Sequence, residues 1–375
     1  MMRPFMILHG READDVMKRI EEIDRNFATD RIDTSGMAFY DVREEPFRLY
    51  GLYEPRAQGA FRRMPEDVAR AASEGVFSLH THTAGGRIRF RTDSRRIILR
   101  CDMPAIHHMD HMPLTGSSCF DLYADGCFVN TFRMTLGEHG RVADHDGAED
   151  GYASMLTFRT AGMHDVVIHF PLYDEVSRVH IGLETDARLE PGARYAVEKP
   201  VVYYGSSITQ GGCASHAGNS YQAILSRRLD CDHINLGFSG NCKGEDVMAE
   251  YIAGLDMSVF VYDYDHNAPN PAHLAATHER VFRIIRERQP ELPVVMLSKV
   301  DGQTDADTAT RRGIIRRTYE NALAAGDKHV YFIDGQTAFA QVGPALCTVD
   351  GTHPNDLGFW CMANMLEETL RSFVR

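Results

Sequence analysis

What this sequence lacks narrows it first. No apolar run approaches the ~20 consecutive residues that a bilayer-spanning helix needs, so no membrane association is expected. None of the eight cysteines, at 101, 119, 127, 213, 231, 242, 347 and 361, falls into a C-x-x-C pair, which argues against a zinc ribbon or a thioredoxin-like motif. Positive charge is in deficit: 40 Lys and Arg against 53 Asp and Glu leave a net charge of −13. Non-specific nucleic-acid binding needs basic residues to displace counterions, so a nucleic-acid partner is not expected either. Met1-Met2-Arg3-Pro4-Phe5 is followed by Arg11, Glu12, Asp14 and Asp15 rather than by an apolar stretch. No secretory signal is read there, and the expectation is a cytoplasmic chain with reduced cysteines in its core. Tryptophan is nearly absent; the single Trp360 is expected to pack under a neighbouring loop.

What is present is the composition of a globular protein, 43% hydrophobic and 25% charged, in 375 residues. That length is enough for two domains of ordinary size. Three parts are read. Residues 1–36 carry one amphipathic stretch, Asp14 to Phe27, with Val16, Ile20, Ile23 and Phe27 on one helical face, expected to be a lead-in helix. Residues 37–196 read as all-β. Arg87-Ile88-Arg89-Phe90-Arg91 alternates, and Asp125-Gly126 sits between two strand-like runs as a hairpin signal. Short strands separated by turns suggest a β-sandwich or jelly roll. The polar stretch from Gly137 to Gly151 is expected to be a long loop.

Residues 197–375 change character, with Glu198-Lys199-Pro200 as the joint. Apolar strand runs at Val201–Tyr204, His233–Leu236, Val259–Tyr262, Val294–Leu297 and Val330–Ile333 alternate with helical patterns. The helical stretches include Tyr221–Leu229 and one carrying Leu274, His278, Val281 and Ile285. Alternating β and α implies an α/β domain, a parallel sheet with helices on both faces. Ligands of such sheets bind at the carboxyl ends of the strands.

The chemistry-bearing residues fall at those ends. Gly205-Ser206-Ser207-Ile208-Thr209 follows the first strand run, and Asp350-Gly351-Thr352-His353-Pro354-Asn355 lies near the end of the chain. A serine on a glycine turn is by itself more often a helix cap or a turn residue. A serine nucleophile also needs an adjacent base. An Asp three residues before a His can hold Nδ1 and leave Nε2 free for the serine. Two more segments follow strands at the same edge: Gly237-Phe238-Ser239-Gly240-Asn241 and Asp263-Tyr264-Asp265-His266-Asn267-Ala268-Pro269. Gly240 and Asn267 are the natural oxyanion donors. Asn270, just before Pro271, fits a helix cap better than Asn267 does.

These four segments resemble, in order, the four blocks of the SGNH or GDSL hydrolase superfamily. The resemblance implies a flavodoxin-like three-layer α/β/α domain with neither metal nor organic cofactor. It implies Ser207 as nucleophile, His353 as base and Asp350 as its orienter. The N–H of Ser207, the N–H of Gly240 and the side chain of Asn267 would form the oxyanion hole. The region upstream resembles the β-sandwich preceding one bacterial subgroup, named for a Gly-x-Asp-Leu-Tyr motif. The chain departs from these patterns in three places. Cys119 stands in place of that motif's glycine, Ser206 in place of the acid before the serine, and the third block lacks its usual Gly-x-Asn-Asp form.

The expectation is a serine esterase acting on a small-molecule acyl ester, by resemblance an O-acetylated sugar or oligosaccharide. Acyl transfer to an alcohol by the same residues is the near alternative. A catalytically degenerate carbohydrate-binding protein is the alternative from another class. Both monomer and homo-oligomer are left open. His80-x-His82 and His107-His108-x-Asp110-His111 carry weak metal-ligand spacing and are read as loop histidines. One such loop could instead reach the mouth of the site.

Overall fold

The computed structural model describes residues 23–24, 32–134, 151–300 and 305–374. Residues 1–33 make one unit and 34–375 another. Of the first, only Ile23, Asp24 and two residues near its end are described, so the helix expected over Asp14–Phe27 falls almost wholly outside the described residues. Most of the loop expected over Gly137–Gly151 does too.

The second unit begins with two antiparallel sheets. One orders β1 (Met37–Asp41), β9 (Arg178–Glu184), β4 (Arg96–Asp102) and β7 (Gly151–Thr157). The other orders β10 (Leu189–Pro191), β3 (Arg87–Thr92), β8 (His164–His169), β5 (Phe120–Ala124) and β6 (Cys127–Phe132), with β2 (Arg48–Tyr50) on β3. Ile88, Phe90, Ile97, Leu99, Phe120, Leu122, Ile168 and Ile181 meet in one core between them. The hairpin β5–β6 turns on Asp125 and Gly126, at φ 52° and 79°, the pair of positive angles that a two-residue type I′ turn requires.

The polypeptide then enters a parallel sheet ordered β12 (Cys231–Gly237), β11 (Val197–Gly205), β13 (Val259–Asp263), β14 (Val294–Leu297) and β15 (Val330–Ile333). In chain order this is 2-1-3-4-5, the flavodoxin-like arrangement. Glu198-Lys199-Pro200 forms the irregular start of β11, where pairing with β12 shifts register between Val197 and Val201. Both faces are covered. Val201, Tyr203, Val259 and Val261 pack under the helices Tyr221–Leu229 and Asp356–Arg371. Val202, Tyr204, Phe260 and Tyr262 pack under Asp246–Ala253, Pro271–Arg288 and Ala306–Ala324. A strand buried on both sides has no polar face, which is why these runs are continuously apolar. Among the described residues, no helix is long and apolar enough to cross a membrane.

Register positions the functional edge. Gly205 pairs with Gly237 on one side and Asp263 on the other. The three central strands therefore end level, and the segments that follow them emerge side by side.

Candidate active site

Backbone geometry decides where the serine goes. Gly205 ends β11 against a wall: a Cβ there would run into Thr209 Oγ1 and the Asp263 carbonyl, so only glycine fits. The chain then turns into a single helical turn, Ser207–Gln210. Ser206 Oγ accepts from Ile208 N–H at 3.2 Å and caps it. Of the serine pair, Ser206 is therefore the cap, and the Ser207 hydroxyl is not used for capping. Ser207 is 8% exposed. Its hydroxyl donates to His353 Nε2 at 2.8 Å.

His353 is held from its other side. Its Nδ1–H donates to Asp350 Oδ2 at 2.7 Å, and its backbone N–H donates to Asp350 Oδ1 at 2.8 Å. Thr352 N–H donates to the same oxygen at 3.0 Å. Burial alone would raise the Asp350 carboxyl, but these hydrogen bonds outweigh it and bring the pKa to about 2. The carboxylate is thus an obligate acceptor, which places the proton on Nδ1 and the free lone pair on Nε2. Gly351 at φ +86° makes the turn between them. The loop is closed by Val349 N–H donating to the His353 carbonyl at 2.9 Å and Asn355 N–H to Cys347 O at 2.9 Å.

The neighbouring loops supply donors. Ser207 N–H sits at the start of its helical turn, where no intrahelical acceptor exists. Gly240, at φ +69°, has open space where a Cβ would be, and among the described residues its N–H meets no protein acceptor. Asn267 ends a short 3-10 turn, Asp265–Asn267. Its Oδ1 accepts from Cys242 N–H at 3.3 Å. Since that N–H can only donate, Oδ1 is the accepting branch and Nδ2 keeps its two donors for another partner. Asn270, not Asn267, caps the following helix, accepting from His273 N–H at 2.9 Å. The structure therefore gathers Ser207, His353 and Asp350 into one hydrogen-bonded line and brings Gly240 and Asn267 to the adjoining strand ends.

Other residues of the site carried no sequence signal strong enough to find them. Gly212 lies against the base: a Cβ there would come within 2.8 Å of Tyr173 Oη and 3.5 Å of His353 Cδ2. Tyr173, from the β-sandwich half, donates to the Ser207 carbonyl at 3.3 Å. Gln210 Nε2 donates to Leu172 O at 3.1 Å and to His82 Nδ1 at 3.2 Å, while its Oε1 accepts from Ser239 N–H at 2.9 Å. Asp263 is fully buried, accepting from Thr209 Oγ1 at 2.9 Å and Tyr221 Oη at 3.2 Å. Burial pushes it up to about 7 against those bonds. Its place at the end of β13 was visible in sequence; its partners were not.

The histidine motifs resolve individually. His107 Nδ1 binds Asp174 at 2.7 Å, and His80 bonds the Phe77 carbonyl. His111 does reach the mouth of the site, its ring edge-on to His353 at 5.5 Å between centroids. Trp360 is a correction. It is 47% exposed on the helix after the His353 loop, because its buried neighbours Phe359, Cys361, Met362 and Ala363 take the inward face.

The Asp-Leu-Tyr motif braces the loop that follows the serine. Asp121 Oδ2 accepts from Gly218 N–H at 2.7 Å and pairs with His216 Nδ1. Phe128 stacks on the His216 ring at 4.4 Å. Ser215 N–H in turn donates to Asp356 Oδ1 at 2.8 Å, at the start of the helix that follows His353.

Comparison with known proteins agrees with this layout. Residues 198–371 match the GDSL-like Lipase/Acylhydrolase family, and residues 37–189 match the GxDLY family, the N-terminus of SGNH hydrolase-type esterases. Among curated proteins, none matches the chain by sequence. Solved structures do. A protein described as a GDSL-like lipase from Bacteroides ovatus is 27% identical, with TM-score 0.77, over 90% of this chain and 98% of that one. A salicylyl-acyltransferase of a tetracycline biosynthetic pathway shares the fold at 20% identity and TM-score 0.73, over 92% of this chain and 100% of that one. A family two carbohydrate esterase from Cellvibrio japonicus shares it at 12% identity and TM-score 0.60, over 90% and 98%.

Proposed function

The chain belongs to the GDSL-like lipase/acylhydrolase family through residues 198–371 and carries the N-terminal region of SGNH-type esterases, and from that premise we propose that it is a serine esterase removing an O-acyl group, acetyl in the simplest case, from a carbohydrate or other small alcohol. The observation that carries this reading is the line from Ser207 Oγ through His353 to Asp350, with spans of 2.8 and 2.7 Å.

Ser207 Oγ attacks the ester carbonyl while His353 Nε2 takes its proton. Asp350, ionised at any pH above about 2, holds the ring and steadies the imidazolium without accepting the proton itself. The tetrahedral oxygen meets Ser207 N–H, Gly240 N–H and Asn267 Nδ2, donors set in place before the charge forms. Collapse releases the alcohol, protonated from His353. Water, activated by the same nitrogen, then frees the acid and restores Ser207.

Acyl transfer is the second reading, with an alcohol in place of that water; the same fold carries a salicylyl-acyltransferase. Carbohydrate esterases among the fold neighbours direct the substrate choice. The test is a panel of acetylated oligosaccharides and aryl esters of increasing chain length, each with and without an acceptor alcohol. Ser207→Ala should lose on the order of 10⁶ in kcat. Turnover near that of the parent would reject Ser207 as nucleophile, and acylated acceptor as the main product would favour transfer.

A further inference from the structure

Three side chains from separate parts of the chain converge beside the base. His111 comes from the loop after β4 and Cys213 from the turn after the Ser207 helix; both stand next to His353, and one ligand atom from each lies within 4.8 Å of the other two. Cys213 is 3% exposed and forms no disulfide. It holds φ at +75° although it bears a Cβ, a conformation uncommon outside glycine.

The geometry points to a reversible inhibitory site for a borderline-soft divalent cation of the zinc type, ligated by His111, Cys213 and His353. Two imidazoles and a thiolate are a donor set that zinc takes readily. A tetrahedral site with bonds of roughly 2.0–2.3 Å separates its ligands by about 3.3–3.8 Å. The three ligand atoms lie within 4.8 Å of one another, so binding a cation draws them together by about an ångström. The fourth position falls to Ser207 Oγ or to water. Asp350 already occupies His353 Nδ1, which leaves Nε2 for the metal. Metal-bound histidines recurrently have a carboxylate on the other ring nitrogen, so the group that orients the base for catalysis orients it equally for a cation. On binding, the Cys213 thiol gives its proton to solvent and the Ser207–His353 hydrogen bond breaks. The enzyme is then without its base. That last step rests on the proposed esterase mechanism; the site itself does not.

The test uses the full-length protein and two metals. Zinc titrated into an aryl acetate assay should inhibit to completion and be reversed by EDTA, while EDTA alone leaves the rate unchanged. Cys213→Ser and His111→Ala, each measured against its own zinc-free rate, should need roughly tenfold more zinc or beyond, since losing a ligand exceeds the 10–100-fold effect of losing an outer partner. Cobalt(II), added at one equivalent, should give a near-ultraviolet thiolate-to-metal band in the parent and in Ser207→Ala, lost in Cys213→Ser. Absence of that band from the parent overturns the site, as does zinc sensitivity unchanged from the parent's in both ligand variants. If no ester is turned over at all, the esterase reading fails and the cobalt band alone decides the site.

Discussion

Asn267 shows how much one side chain's surroundings determine its use. Its Oδ1 is spent on Cys242 N–H, so only Nδ2 remains to meet a developing oxyanion. Asn267→Ala should lower kcat by roughly 10²–10³ with little change in KM; a variant altered only in melting temperature would make the residue structural. Asp350 offers a matching experiment. Its carboxyl lies near 2 in the fold against an ordinary value near 4. A depressed value contributes stability that is present above about pH 4 and lost as pH falls towards 2, so the acid limb of activity must come from another group. Asp350→Asn should cost about 10⁴ in kcat by admitting the wrong histidine tautomer, and a loss of under tenfold would contradict the orienting role. At this scale the sequence was legible where a short motif encodes its own geometry, as Asp350 to His353 does across one turn. It was not legible for Tyr173 or Gln210, whose partners lie across the fold, and His111 was visible only as one of the loop histidines that could reach the site. Trp360 misled because helical spacing names a face without saying which neighbours win the core.

At the scale of elements, the strands of the parallel sheet were readable because burial on both faces leaves no polar position, and β14 and β15 fall on the expected residues. Loop paths were not readable: nothing periodic in residues 103–113 reports that His111 ends beside His353. The turn after β11 also rests on an unadvertised support. Asp263, at the end of β13, takes the hydroxyls of Thr209 and Tyr221 beneath it. Its value of about 7 is raised by burial. A raised carboxyl favours the fold below about pH 4, and that contribution fades as pH climbs towards 7. Asp263→Asn keeps an acceptor for both hydroxyls and cannot ionise. Its melting temperature should therefore improve relative to the parent between pH 5 and pH 8. Parallel curves for the two proteins would mean that Asp263 is already ionised in the fold by pH 5, and would reject the raised value.

At the scale of the whole molecule, the β-sandwich and the α/β layers form one compact unit over residues 34–375. The alternation in β3 explains how. Ile88 and Phe90 face the sandwich core, which puts Arg87 and Arg89 on a face that a lone sandwich would expose to water. Arg87 is instead 0% exposed. Its guanidinium reaches the α/β half, donating to the Asp232 carboxylate, to the His233 carbonyl at 3.0 Å and to His233 Nε2 at 2.8 Å. Where Arg87 binds the start of β12, Arg63 binds its carboxyl end, donating to the carbonyls of Asn235 at 3.1 Å and Gly237 at 2.6 Å. Both arginines thus fasten β12, whose carboxyl end delivers Gly240. Arg87→Met keeps the stem's packing but leaves the buried Asp232 carboxylate without its cation, a loss of roughly 3–5 kcal/mol. Unfolding entropy near 2.1 cal/mol/K per residue converts this to a fall of about 5 °C in melting temperature. Adding Asp232→Asn removes the orphaned charge and should restore most of it, because a coupled pair is not additive. Calorimetry should show one transition that moves as a unit in all three proteins. Two transitions, with only one shifted, would show that the halves unfold separately and that these arginines do not unite them.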